Sequence, residues 1–596
     1  MSTMKLLHKP TRHLFFTGKG GVGKTSLSCA AAIALADKGL NVLLVSTDPA
    51  SNLDEMLGLT LGSEPTPVPG VPRLYAMNID PESAAEEYRA RVLDQMAPDA
   101  SDEDRATVRE QLSGACTTEI AAFDEFVGLL AEDNPRFDHI IFDTAPTGHT
   151  PRLLSLPKAW TGFLEANERG ASCLGPHSGL KMQEDRFRQA LACLGDSART
   201  TIVLVTRADR GAIREAARTA GELCELGLSN QMLAVNGCFT PTDPSDQVAA
   251  AFAAEQTKAL TDLPATLASL SRDEIALKPF DMVGLAALRA LLSDTALTPP
   301  ADAADDTFEN PALPRLATLV GEIAASGKGL VMVMGKGGVG KTTVAAAVAV
   351  GLASRGHTVH LTTTDPAAHL SFVVGADALP GLSVDRIDPA AETARYIEKI
   401  MATKGRDLDD DGKALLREDL ASPCTEEVAV FHAFARVVGE ARTSFVVIDT
   451  APTGHTLLLL DATGAYHRQM TRHIAEDAPG RMVTPLMRLQ DPAYTRVLLV
   501  TLPETTPVSE ASALQDDLRR AGIEPYGWVV NKAMAITGTR DPLLRARIRG
   551  EKVQIERVKR DCASRVYGLD FRPVAPLGLP ALLQLANEGQ VKTSGH

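Results

Sequence analysis

The sequence predicts an α/β fold in two homologous halves, each a mainly parallel sheet covered by helices. The glycine-rich stretch GKGGVGKTS at 18–26 returns as GKGGVGKTT at 335–343, and FDTAPTGHT at 142–150 returns as IDTAPTGHT at 448–456. An internal repeat on this scale indicates two copies of one domain. A stretch rich in Pro, Ala and Asp at 297–316 separates them, so we expect halves at 1–300 and 326–596 and a linker at 301–325.

Strand-like and helix-like segments alternate within each half. The first half shows apolar runs at HLFFT, NVLLVSTD, FDHIIFDT, TIVLVTR and QMLAVNG, and the second at LVMVM, TVHLTTTD, SFVVIDT, RVLLVTL and YGWVVNK. Between the first two runs of each half lies a small-residue helix that ends in glycine, SLSCAAAIALADKG and then TVAAAVAVGLASRG. This alternation is typical of βαβ units, which have parallel strands and helices on the faces of the sheet.

The composition excludes several classes of protein. The 596 residues carry a net charge of −15, so the overall field repels nucleic acid and anionic lipid, and we expect no nucleic-acid partner. Apolar runs such as VAAAVAVGLA fall short of the roughly 20 residues that span a bilayer, and the first residues do not resemble a signal peptide. We therefore expect a cytoplasmic protein without direct membrane insertion. Eight cysteines without a C-x-x-C pair favour free thiols over disulfides or a zinc ribbon.

Each glycine-rich stretch matches the phosphate-binding pattern G-x-x-x-x-G-K-[ST], so each half is a candidate P-loop NTPase domain. Backbone N–H groups of such a loop surround phosphate oxygens, the lysine reaches the β/γ-phosphates, and the hydroxyl binds Mg²⁺. The predicted ATP-binding residues are Gly18, Gly20, Gly21, Gly23, Lys24, Thr25 and Ser26 in the first half, and Gly335, Gly337, Gly338, Gly340, Lys341, Thr342 and Thr343 in the second.

Aspartates follow the strands next to these loops. Asp48 and Asp143 in the first half correspond to Asp365 and Asp449 in the second. A carboxylate at such a strand end suits Mg²⁺ or the attacking water, so we expect all four beside Mg²⁺ together with Thr25 and Thr342, with Asp48 and Asp365 taking part in catalysis. The alternative for each aspartate is a helix cap or a turn.

Both loops carry a second lysine near their start, Lys19 and Lys336. This K-G-G-V-G-K-[ST] variant resembles the deviant Walker group of ATPases, which work as face-to-face dimers and send this lysine to the partner's nucleotide. The resemblance implies a face-to-face pseudo-dimer, with Lys19 and Lys336 catalytic beside Lys24 and Lys341. It also implies that Asn236 and Asn531, at the ends of late strands, contact the adenine base.

The tandem loops, the two DTAPTGHT segments, SCLGP at 172–176 and SPCTEE at 422–427 are together similar to the arsenical pump-driving ATPase family. That resemblance implies ATP hydrolysis stimulated by arsenite or antimonite and energising metalloid efflux. It further implies a membrane arsenite efflux carrier as partner, an arsenic metallochaperone as a further candidate partner, and a position at the inner face of the cell membrane through the carrier. The implied metalloid ligands are Cys116, Cys173, Cys424, His149, Ser422 and His455.

The thiols support this site more weakly by themselves. Cys116 opens CTTE and Cys424 opens CTEE, so the repeat puts one thiol at matching points of the two halves, and soft thiolates suit a soft metalloid. The alternative for any cysteine is a small buried apolar residue, and we expect that role for the other five: Cys29, Cys193, Cys224, Cys238 and Cys562.

Two other functions stay open at this stage. A targeting chaperone for tail-anchored membrane proteins shares the deviant loop, but this sequence lacks the C-x-x-C site and the methionine-rich helix of that class. A partitioning ATPase would bind DNA or membrane, which the acidic charge and the lack of a basic amphipathic terminal helix disfavour.

Overall fold

The computed structural model describes most of the two halves. The described residues are 4–48, 52–94, 124–130, 136–144, 189–293, 312–365, 370–375, 379–406, 408–420, 423–451 and 484–588, with single residues at 101, 105, 108, 112 and 121.

The described part of the first half forms one eight-stranded sheet. The strands are β1 (His13–Thr17), β2 (Val42–Ser46), β3 (Thr66–Pro67), β4 (Leu74–Asn78), β5 (His139–Asp143), β6 (Thr200–Arg207), β7 (Gln231–Cys238) and β8 (Ser271–Ala276). Their order is β3-β4-β2-β5-β1-β6-β7-β8, and every pair is parallel except β3 with β4.

The described part of the second half repeats this arrangement with seven strands. They are β9 (Gly329–Met334), β10 (Val359–Thr363), β11 (Leu382–Val384), β12 (Phe445–Asp449), β13 (Thr495–Thr501), β14 (Gly527–Ala533) and β15 (Val566–Asp570). Their order is β11-β10-β12-β9-β13-β14-β15, and all pairs are parallel. The predicted pair of similar, mainly parallel sheets is confirmed.

Helices cover both sheets. Those described in the first half are α1 (Lys24–Ala36), α2 (Leu53–Leu57), α3 (Pro81–Asp94), α4 (Arg210–Glu225), α5 (Gln247–Thr261), α6 (Ala265–Ala268) and α7 (Leu285–Leu291). Those described after it are α8 (Leu316–Ala324), α9 (Lys341–Ala353), α10 (Leu370–Val374), α11 (Pro389–Thr403), α12 (Asp410–Leu420), α13 (Pro423–Glu440), α14 (Pro485–Gln490), α15 (Thr505–Arg520), α16 (Pro542–Arg557) and α17 (Leu579–Asn587). Among the described helices, none combines the length and apolar character that a membrane crossing requires.

The central strands are rich in apolar residues because helices cover both faces of each sheet. On β1, Leu14 and Phe16 pack on the side of α1, whereas Phe15 packs on the other side, where its ring stacks on Phe142 with centroids 4.4 Å apart. Successive side chains of a strand point to opposite faces, so a strand buried on both faces is mostly apolar and does not alternate between apolar and polar residues. Helix α1 is rich in small residues and almost wholly buried, which brings its axis close to the sheet.

The end of the predicted linker is helical. Helix α8 begins at Leu316, and Leu319 and Val320 are buried in the same core as α9 and α17. These residues therefore pack with the second half, while 301–311 lie outside the described residues. The proposed limits of the linker otherwise stay a prediction.

The two halves pack against each other at the edge where β1 and β9 end. Phe239 and Leu277 of the first half share an apolar cluster with Met534 and Leu544 of the second. Burial of such side chains contributes roughly 1.5–3 kcal/mol each, so apolar packing stabilises the contact between the halves.

Two aspartates reinforce this interface in a reciprocal way. Asp246 caps α5 by accepting from the backbone N–H of Ala249, and its other oxygen accepts from the N–H of Arg540 at 2.5 Å. Asp541 caps α16, and its second oxygen accepts from the N–H groups of Thr242 and Asp243 at 2.7 and 2.9 Å. We call these two residues the reciprocal caps, since each orders its own helix and the loop of the other half.

Candidate nucleotide sites between the halves

Each P-loop connects the central strand of its sheet to the helix that follows. Helix α1 begins at Lys24 and α9 at Lys341, directly after Gly23 with φ of 90° and Gly340 with φ of 97°. A positive φ of this size is strained for any residue with a Cβ, so glycine is needed at the turn. The turn leaves the first N–H groups of a long helix at the loop, which is the usual environment for a phosphate.

The two loops touch across the interface. A Cβ built on Gly20 would lie 2.5 Å from the Cα atom of Gly337, a distance that no real side chain tolerates. A Cβ built on Gly338 of the second loop would likewise clash with the carbonyl group of Gly20. Glycine is therefore required here for contact between the loops as well as for their turns. The predicted face-to-face arrangement is confirmed.

The P-loop lysine of each half lies folded over its own loop. The ammonium group of Lys24 donates to the carbonyl oxygen of Lys19 at 3.3 Å, and that of Lys341 to the carbonyl oxygen of Lys336 at 3.0 Å. Both side chains are buried, and this burial lowers the pKa of each lysine. A buried ammonium favours an anionic neighbour, and a phosphate group supplies one.

A threonine and an aspartate form a matching pair beside each loop. The hydroxyl of Thr25 donates to one oxygen of Asp143 at 2.8 Å, and Thr342 donates to Asp449 at the same distance. Burial raises the pKa of Asp143 to about 6 and that of Asp449 to about 7, although the P-loop lysine of the same half opposes the shift.

These pairs fit the Mg²⁺ ion that the loops imply. The second carboxylate oxygen of Asp143 and that of Asp449 are buried, and neither has a hydrogen-bond partner in the part of the chain that the structure describes. A hard cation prefers hydroxyl and carboxylate oxygens, and its charge would offset the burial that disfavours both carboxylates.

The other predicted aspartates, Asp48 and Asp365, lie just after the ends of β2 and β10. The backbone N–H of Asp48 donates to the hydroxyl of Ser46 at 3.2 Å, and that of Asp365 to the hydroxyl of Thr363 at 3.0 Å. Thr363 in turn donates to the carbonyl oxygen of Asp449 at 3.0 Å. The repeat therefore gives both halves closely similar local geometry around these acids.

The early lysines differ between the halves. Lys336 extends from the second loop to the first half, where its ammonium lies 3.8 Å from Asp48, and it also pairs with Glu510 at 2.6 Å. Burial lowers the pKa of Lys336, but Asp48 and Glu510 outweigh it, so the pKa is raised. Lys19 is exposed. Its charge adds to the effect of burial in lowering the pKa of Lys341, so it too acts on the opposite half.

One cavity lies above the first P-loop and has walls from both halves. The first half contributes the loop, Asp48, Asn236 and a segment at 276–283, and the second contributes Lys336, Glu510 and Arg547. Thr505 of the second half donates its hydroxyl to Asp281 of the first at 2.7 Å, which closes one side of this cavity.

Sequence reasoning missed the residues that the second half adds to this cavity. Arg547 donates to the carbonyl oxygen of Lys278 at 3.1 Å and pairs with Glu504 at 3.0 Å. Glu510 accepts from the side chain of Asn52 across the interface. None of these belongs to a local motif. Glu510 lies on α15, the helix after β13, and no sequence pattern distinguishes it from the other acids of that helix.

Asn236 and Asn531 end up beside the loops. The side-chain amide of Asn236 donates to the carbonyl oxygen of Val22 at 2.9 Å, and that of Asn531 donates to the carbonyl oxygen of Val339 at 2.8 Å. Each asparagine thus holds the backbone of its own P-loop. Contact with the adenine base stays a prediction for both.

The predicted metalloid ligands Cys116, Cys173, His149, Ser422 and His455 lie outside the described residues, and of Cys424 the structure describes the position at the start of α13 alone. The expectation for the other cysteines is confirmed for Cys29, Cys193 and Cys562, which are buried. It is wrong for Cys224, which is exposed near the end of the amphipathic helix α4, and Cys238 is half-buried.

Comparison with known proteins agrees with this architecture. The profile of the anion-transporting ATPase family matches residues 11–295 and 328–490, that is, both halves. An arsenical pump-driving ATPase of Escherichia coli is 54% identical over 587 residues, which cover 98% of this chain and 100% of that protein. An arsenical pump-driving ATPase of Acidiphilium multivorum is 53% identical over 98% of this chain and 100% of its own length.

A second group of relatives matches a smaller part of the chain. The ATPase GET3 of Malassezia globosa is 32% identical over 256 residues, which cover 39% of this chain and 74% of that protein. The tandem organisation is thus shared with the first group over its full length. With two P-loops in contact and both halves matched by one family, the chain belongs to the anion-transporting ATPase family and is an ATPase.

Proposed function

We propose that this ATPase is stimulated by trivalent arsenite or antimonite and energises their export through a membrane carrier. The observation that carries the proposal is the likeness to arsenical pump-driving ATPases over nearly the whole chain, joined to two P-loops that touch across one interface. An arsenic metallochaperone that delivers the metalloid is a further candidate partner. The protein would act at the inner face of the cell membrane, held there by its carrier.

Each half would bind one ATP. The loop N–H groups and Lys24 or Lys341 would hold the phosphates, and Asn236 or Asn531 would face the base. Mg²⁺, where bound, would be held by Thr25, Asp48 and Asp143, or by Thr342, Asp365 and Asp449, and would supply positive charge to the phosphates. The raised pKa of Asp143 and Asp449 supports a cation at these positions, since a buried carboxylate needs one to stay ionised.

The early lysines would act on the nucleotide of the opposite half. Lys336 already lies beside Asp48, and the charge of Lys19 already acts on Lys341. Positive charge aimed at the phosphates in this way stabilises the transition state of phosphoryl transfer. Closure of the interface would complete both sites, so hydrolysis would follow the population of the closed state.

The metalloid would favour that closed state by binding thiols from both halves. Cys116 and Cys424 occupy matching places in the repeat, and Cys173 would complete a set of three sulfur ligands, with His149, Ser422 and His455 nearby. A metalloid that binds the closed state about 100-fold more tightly shifts the equilibrium by about 2.7 kcal/mol. That preference would be converted into faster ATP turnover.

The test measures ATP hydrolysis against antimonite and arsenite concentration. We expect stimulation in the wild type and its loss in Cys116→Ser, Cys173→Ser and Cys424→Ser. Cys224→Ser is the matched control, because that thiol is exposed and lies on another helix, and it should keep full stimulation. Full stimulation with unchanged metalloid affinity in all three variants would contradict the thiol site.

The same assay separates the alternative functions. A targeting chaperone for tail-anchored proteins would respond to a hydrophobic tail peptide, and a partitioning ATPase would respond to DNA. The partial match to the GET3 ATPases favours the arsenical function over the chaperone. A response to the peptide without a response to metalloid would reverse that preference.

A further inference from the structure

We propose that Glu510 is a positioning residue that holds Lys336 at the nucleotide site of the first half. The inference rests on the proposed crosswise action of Lys336. It adds a residue that lies outside both P-loops and outside every repeated motif. It also offers a physical reason why the two early lysines are placed differently.

Glu510 joins the two halves through one carboxylate. Its oxygen lies 2.6 Å from the ammonium of Lys336, and the side chain of Asn52 in the first half donates to the same oxygen. The side chains of Glu510 and Lys336 are 13% and 16% exposed, so the ion pair is screened little by water. Asn52 lies four residues after Asp48. The ammonium of Lys336 also lies 3.8 Å from Asp48, so it is held between Glu510 and this predicted catalytic acid.

A carboxylate in a phosphate cavity needs such a cation. Glu510 lines the cavity above the first P-loop, where a bare negative charge would repel a triphosphate. The bond to Lys336 neutralises that charge and fixes a flexible side chain, whose ordering would otherwise cost entropy when the site closes. Lys336 is therefore held across the interface at the first P-loop.

The repeat supplies a matched position for comparison. Asn236 and Asn531 are 295 positions apart, as are the reciprocal caps, and the same spacing makes Glu215 the counterpart of Glu510. Glu215 pairs with Arg218 on its own helix at 2.5 Å. The counterpart of Arg218 is Ala513, which cannot make this pair. Glu510 thus has no arginine one turn further along its helix to draw it from Lys336.

The experiment measures kcat and KM for ATP in Glu510→Gln, with Glu215→Gln as the matched control. Gln keeps the size and an acceptor oxygen for Asn52 but removes the charge that holds Lys336. We expect kcat to fall about tenfold, since a misplaced reacting group costs rate, while KM for ATP does not rise. Glu215→Gln should stay within about twofold of wild type, because its ion pair lies along one helix.

Three further measurements separate positioning from a merely structural role. Glu510→Asp, which keeps the charge, should recover part of the rate. In a Lys336→Ala background, Glu510→Gln should have little further effect, because there is no lysine left to hold. Thermal unfolding and binding of a fluorescent ATP analogue should remain close to wild type in Glu510→Gln.

The outcomes distinguish this inference from the proposed function. If Lys336→Ala slows turnover but Glu510→Gln does not, or if the two effects simply add, the role of Glu510 is refuted and the crosswise lysine stands. If Lys336→Ala itself has wild-type turnover, both the crosswise lysine and the role of Glu510 fail. If antimonite does not stimulate the wild type, the transport function fails, while the cycle still tests Glu510 on unstimulated turnover.

Discussion

The reciprocal caps predict how strongly the two halves are joined. Asp541→Ala removes the cap of α16, which contributes about 1 kcal/mol, as N-caps do. It also removes three bonds from the first half, donated by the N–H and the hydroxyl of Thr242 at 2.7 and 2.8 Å and by the N–H of Asp243 at 2.9 Å, which contribute about 1 kcal/mol each. We therefore expect the free energy of unfolding to fall by about 4 kcal/mol, from one cap and three interface bonds.

Asp388→Ala is the control for this prediction. Asp388 caps α11 through the N–H of Ala391, and its side chain also pairs with Arg386 of the same half. Its loss should therefore cost clearly less than the loss of Asp541, because it removes a cap and no bond across the interface. Urea unfolding followed by circular dichroism measures both variants. Equal costs for Asp541→Ala and Asp388→Ala would refute the view that Asp541 holds the interface.

The pH dependence of the stability provides a second test of the role of Asp541. Burial raises the pKa of Asp541, but hydrogen bonds from Asp243, Thr242 and Leu544 outweigh it, so the pKa is lowered from its ordinary 3.8. A lowered pKa in the folded state gives stability that is present above the unfolded value and lost as the pH falls through the folded one. The difference between wild type and Asp541→Ala should thus be full at neutral pH and shrink below pH 3.8.

Three further predictions concern single side chains. Lys24→Ala and Lys341→Ala should each lose nucleotide mainly from their own half, measured as ATP stoichiometry, and normal stoichiometry in both would contradict this. Adding Lys19→Ala should abolish stimulated turnover in Lys24→Ala but change little in Lys341→Ala, and the opposite ranking would mean that Lys19 serves its own loop. The hydrogen bond to Asp385 is the main reason why the pKa of His360 is raised. His360→Gln should therefore destabilise the protein most below about pH 6.5 and progressively less at higher pH, and an equal loss of stability at low and high pH would refute this.

Much of the fold follows from local patterns. The strands next to the loops are rich in apolar residues because they are buried on both faces, and the small-residue helices α1 and α9 lie directly after a glycine turn. Strand β8, SRDEIA, was not predicted. It lies at the edge of its sheet, where Glu274 is exposed and the buried Asp273 accepts from the N–H groups of Lys5 and Leu6, so the apolar pattern is lost.

Some residues of the nucleotide sites could likewise be predicted from local patterns, and others could not. The P-loops, Thr25 and Asp143 could be predicted because their spacing within one strand and helix sets their geometry. Glu510, Arg547 and Asp541 could not, since their partners lie hundreds of positions away and meet them through the packing of one half on the other. No local pattern encodes a contact of that kind.

Fusion of the halves explains how the sites can differ. In a dimer of identical chains, every interface residue is present on both sides, so a change that improves one site also alters the other. In a single chain Ala513 can stand where the first half has Arg218, and Arg547 can stand where the first half has Phe252, 295 positions earlier. Lys336 is then held across the interface while Lys19 stays exposed. The duplication thus provides two faces for closure and also allows the two nucleotide sites to diverge.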